Sequence, residues 1–64
     1  DPVAAGRWVN SLPSGEARLW AAKNLAAQWH EYEPAAARQW AARLPADERQ
    51  QVQEYLDRGT TGDP

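Results

Sequence analysis

Apolar positions recur along this chain with the period of an α-helix rather than of a strand. At about 100° per residue, Ala5, Trp8, Val9 and Leu12 form one stripe, and Val3, Gly6, Arg7 and Asn10 lie on the other side. The spacing predicts a helix over 2–11. Ala37, Trp40, Ala41 and Leu44 repeat the stripe and predict another over 34–43. Between them, Leu19, Ala22, Leu25, Ala26, Trp29 and Tyr32 cover one broad arc of a helix over 14–31, while Trp20 and Ala27 point away from Trp29. A helix apolar on two sides is expected to be sandwiched between neighbours, with indoles packed on both sides. A fourth helix, over 46–57, carries Val52, Tyr55 and Leu56. Where the second helix has Leu19, Ala22, Leu25, Ala26 and Trp29, the positions 32 residues on are Gln51, Glu54, Asp57, Arg58 and Thr61. A polar outer face suits a terminal unit, so the piece is read as the end of an array or a self-contained two-unit module.

Local punctuation agrees with the periodicity. Asp1 and Glu33 stand at helix-capping positions, and Pro2 and Pro34 fit the first helical position, where no backbone N–H is needed. Leu12-Pro13 and Leu44-Pro45 end helices, because proline disfavours helical geometry in the residue before it. Ser14 offers a hydroxyl cap to the second helix, and Asp47 and Glu48 place negative charge in the first turn of the fourth. Connections this short make antiparallel neighbours. The halves also match in sequence: residues 1–13 and 33–45 align without a gap, pairing Pro2 with Pro34, Ala4 with Ala36, Ala5 with Ala37, Trp8 with Trp40, Leu12 with Leu44 and Pro13 with Pro45, and Glu16 with Glu48 extends the match. The expected organisation is one helical domain over 1–58, in units of 1–32 and 33–58, followed by a flexible tail over 59–64. The fold class is all-α: two tandem antiparallel αα-hairpins, four helices in all, stacked as a short right-handed solenoid or a compact bundle.

The segments Asp1-Pro2-x-x-Ala5-x-x-Trp8 and Glu33-Pro34-x-x-Ala37-x-x-Trp40 resemble the junction and first helix of tetratricopeptide repeats, with a period of 32 residues where the family has 34. The resemblance covers both units and implies a protein-interaction scaffold that binds peptides or partner domains on a face lined by the first helices.

Composition sharpens the picture. Thirteen of the 27 hydrophobic residues are alanine, the best helix former, and isoleucine, phenylalanine and methionine are absent. Cysteine is absent too, so packing alone holds the fold. The expected core is Trp8, Leu12, Trp20, Leu25, Trp29, Trp40, Leu44, Val52, Tyr55 and Leu56. A formal charge of −2 with acids interspersed throughout argues against a nucleic-acid partner, and the apolar runs are too short for a membrane partner. The missing initial methionine is read as a sign of a processed or excised piece.

Candidate chemistry is sparse. His30-Glu31 begins like a zinc-peptidase helix motif, but Pro34 stands where the second histidine belongs. Gly59-Thr60-Thr61-Gly62 lacks the lysine and the preceding strand of a phosphate loop. No catalytic residue, metal site or cofactor is expected. Arg7, Asn10, Arg38 and Arg43 project from the polar sides of the first and third helices and are the candidate partner contacts, since guanidinium groups suit carboxylates. The sequence thus points to a non-catalytic interaction module for a protein or peptide partner. The alternative is a structural or oligomerisation unit, a homo-oligomer formed through exposed repeat ends.

Overall fold

A computed structural model describes the backbone of residues 1–61 and the side chains of 1–58. It contains α1 (Pro2–Ser11), α2 (Glu16–Tyr32), α3 (Pro34–Ala42) and α4 (Ala46–Thr61), and the described residues include no strand. The all-α class therefore holds. The long helix α2 is central and packs against each of the other three.

Helix α1 starts where proline and an acid dictate: Pro2 fills the first turn and the Asp1 carboxylate accepts the Val3 N–H at 3.1 Å. It stops at Leu12, which is extended ahead of Pro13. Helix α2 departs from expectation. Its cap is Gly15 rather than Ser14, and no side chain bonds the first turn. With φ at +147°, Gly15 makes the reversal after Pro13 in a conformation that L side chains rarely adopt, so the turn consumes Ser14 before the helix begins. A single residue, Glu33, separates α2 from α3, with its N–H donating to the Trp29 carbonyl at 2.8 Å. Its carboxylate does not cap α3; it accepts the Trp29 Nε1–H at 3.2 Å instead. Helix α4 continues through Thr61, past the expected end at 57. Residues 62–64 of the expected tail lie outside the described residues.

The core is built from small side chains. Val9, Ala21, Ala22, Ala26, Ala41, Leu44, Val52 and Leu56 form the buried cluster, with Leu12, Leu19, Leu25, Ala27 and Trp40 half-buried against it. Three alanines on α2 let neighbouring backbones approach closely, and close approach leaves little interior volume for an indole. Three expected core residues are accordingly corrected: Trp8 is 59% exposed, Trp20 is 68% exposed and Tyr55 is 41% exposed. Trp20 lies about 160° around α2 from the buried Ala22, and its ring stands in solvent. The expected wedge is thus half right: α2 touches all three neighbours and Ala27 packs against the core, but the Trp20 indole on the same side is not packed. Trp29 is half-buried, and Trp40 owes its partial cover to α1 and Trp29. Trp8 has no helix in the corresponding place.

Polar contacts pin the hairpins together. Arg18 Nε donates to Glu48 Oε1 at 3.1 Å, and its terminal nitrogen donates to the Leu12 carbonyl at 3.2 Å. One guanidinium thereby ties the α1–α2 connection, the start of α2 and the first turn of α4. The sequence pairs Glu48 with Glu16, but only Glu48 is buried.

Candidate binding groove between the first and third helices

Two helices and one aromatic floor make the site. Val3, Gly6, Arg7 and Asn10 of α1 face Ala36, Gln39 and Trp40 of α3 and its capping residue Arg43, across a groove of about 280 Å³ that Trp29 also lines. The floor is the pair Trp29 and Trp40, with ring centroids 6.2 Å apart and planes tilted by 43°. The bond to Glu33 fixes the Trp29 ring. Trp40 lies against α1 because residue 6 is glycine: a Cβ there would stand 2.7 Å from Trp40 Nε1 and 3.3 Å from two ring carbons. The α1–α3 approach therefore depends on a missing side chain in mid-helix.

Of the four candidate partner contacts, the fold brings three together. Arg7, Asn10 and Arg43 are exposed and line this groove. Arg38 does not join them. It points to α4, donating to Gln53 at 3.0 Å and to the Asp57 carboxylate at 2.8 Å, and so works as a staple between α3 and α4. Among the described residues no carboxylate lines the groove, so its two guanidinium groups set its charge. On the far side of Trp29 lies a second cavity of about 400 Å³ with the opposite lining: Asp1 and Glu33 with Leu25, Gln28 and Tyr32, and no arginine or lysine.

Sequence reasoning placed Trp29 in the core, whereas it is the wall shared by both cavities. It also passed over Gly6. A glycine inside a helix costs about 1 kcal/mol relative to alanine, so its presence was a signal that some neighbour comes close. Among the described residues no group of three His, Asp or Glu side chains could hold a metal, and no helix is long and apolar enough to cross a membrane. No protein-family model, curated protein or solved structure matches the chain.

Proposed function

We propose that this chain is a non-catalytic protein-interaction module, an αα-hairpin repeat of the tetratricopeptide-like kind, whose α1/α3 groove binds an acidic peptide segment of a partner protein. One observation carries the reading: Arg7 of α1 and Arg43 at the end of α3 line one groove with two tryptophans, and among the described residues no carboxylate lines it. Guanidinium groups bind carboxylates through paired, charge-assisted hydrogen bonds, while indole faces take apolar side chains and exclude water. Acidic residues spaced by leucines match both features.

The test is a titration of a short glutamate–leucine peptide, followed by tryptophan emission, beside a lysine–leucine control. Arg7→Ala and Arg43→Ala should each weaken binding about tenfold, as loss of a hydrogen bond to a charged group does. Raising the salt concentration should weaken the wild type more than either variant. Equal affinity in wild type and both variants, or a preference for the lysine peptide, refutes the assignment.

A further inference from the structure

Two indoles stand in solvent, and the internal repeat tells what sort of surface they occupy. Trp8 and Trp20 are exposed, whereas the residues 32 positions on, Trp40 and Val52, pack against the first hairpin. The side of α2 that bears Trp20 therefore corresponds to a helix–helix contact surface, yet Trp20 itself stands exposed on it, and α4 reaches only as far as Lys23, through Tyr55. Around Trp20 is a shallow concavity lined by Glu16, Ala17, Leu19, Trp20 and Lys23, all from α2.

The order of charges on this face chooses its occupant. Glu16 lies four residues before Trp20 and Lys23 three after, so acid, indole and base follow one another along a single stripe. Neither charged group is in an ion pair among the described residues; Lys23 Nζ sits 5.9 Å from the centre of the Tyr55 ring. A two-fold axis through Trp20, perpendicular to α2, sets the helix antiparallel to its own copy. Each Glu16 then faces the other copy's Lys23, with the two indoles between them. Such a surface is self-complementary, as an isologous contact requires. A head-to-tail stack would instead press Trp20 onto the outer face of α4, where Gln51, Glu54 and Asp57 are exposed and polar.

We propose that the Trp20 face of α2 is a self-association surface that pairs two copies of this chain antiparallel about a two-fold axis. It shares no residue with the α1/α3 groove, so each assignment stands or falls alone. Trp20 offers roughly 150 Å² of area to such a contact. A stable interface needs about 800 Å² per partner, so the dimer is expected to be weak and to populate only at high concentration.

The experiment is sedimentation equilibrium from about 10 µM to about 1 mM, a range suited to an interface of this size. Wild type should pass from monomer to dimer. Trp20→Ala should weaken association at least thirtyfold, as loss of a central aromatic anchor does. Glu16→Lys and Lys23→Glu should each be monomeric by themselves, because like charges meet at both ends, and their equimolar mixture should dimerise, because opposite charges meet again. Glu16 and Trp20 are exposed on α2 and Lys23 is half-buried with its ammonium beside the Tyr55 ring, and circular dichroism should show unchanged helicity in all three variants. A wild type that stays monomeric throughout overturns the proposal. So does association that survives Trp20→Ala, association lost in Val3→Glu instead, or a mixture that does not recover. A monomer whose Trp20 inserts into anionic phospholipid vesicles assigns the face to a membrane and equally overturns it.

Discussion

Removing Arg18 tests whether the hairpins are held by one buried contact. The Arg18 and Glu48 side chains are only 15% and 11% exposed, and they meet at 3.1 Å. Arg18→Ala leaves the Glu48 carboxylate buried without its cation, an arrangement that costs about 3 kcal/mol. It also removes the donor to the Leu12 carbonyl, loosening the turn before α2. A chain of 64 residues has a total stability of about 3–10 kcal/mol, so this single change should remove a large share of it and lower Tm by about 15 °C. Glu48→Ala should cost less, about 2 kcal/mol, because the stranded guanidinium keeps the Leu12 carbonyl and can reach toward water. The pair Arg18→Met with Glu48→Leu should return to within about 1 kcal/mol of wild type, since two apolar groups of similar volume strand no charge. Urea unfolding followed by far-UV circular dichroism, with the slope checked for constancy, gives all three values and the coupling between the sites. An Arg18→Ala variant within about 0.5 kcal/mol of wild type would refute the clamp.

Three other outcomes follow from the packing. Val52 is fully buried, so Val52→Ala should cost about 2 kcal/mol in the same urea assay, whereas an equal truncation at an exposed site should cost little. Gly6→Ala should destabilise by about 1 kcal/mol, because the clash with the Trp40 ring outweighs alanine's better helix propensity; a gain in Tm would show that the ring simply swings away. Arg38→Ala breaks a pair whose members are 38% and 63% exposed, so solvent screening should hold its cost below about 1 kcal/mol, and a larger loss would mean that the α3–α4 staple is stronger than its exposure implies.

How far each feature could be read in advance depended on whether local or tertiary forces decide it. The starts of α1 and α3 were legible because Pro2 and Pro34 can occupy few other positions, and the stop at Leu12 because the next residue is proline, whereas α3 ends earlier, at Ala42 with Arg43 as its cap. Ser14 misled, since a hydroxyl is a good cap only if the backbone is free to place it, and after Pro13 the reversal required Gly15. The fourth helix was expected to end at 57, where the apolar positions stop, yet α4 continues to Thr61. The tryptophans misled for a different reason. A periodic stripe says which side of a helix faces its neighbours, not how far apart the helices stand. Alanines at 21, 22 and 26 set a close separation that pushes the large rings to the margin. Three of the groove's polar residues were foreseen from their polar faces; Arg38 was not separable from them, because its partners Gln53 and Asp57 belong to an element whose rotation the stripe leaves open.

That displacement of indoles to the margin links stability to binding. The alanine-rich buried cluster includes neither Trp20 nor Trp8. Large apolar area is left where it can meet a partner, at little cost to the interior. Trp29 shows the consequence most directly. It lines both the groove with Arg7 and Arg43 and the cavity with Asp1 and Glu33, and its own N–H is spent on Glu33. An indole held in this way lines both a basic groove and an acidic cavity. A ligand in the groove therefore meets a wall whose position is set from the opposite cavity. Breaking the Trp29–Glu33 bond should loosen the groove floor while leaving Val9, Val52 and Leu56 packed, because none of the three lines either cavity. Recognition and folding thus draw on different residues of one helix, α2, whose alanines hold the interior and whose tryptophans form the surface.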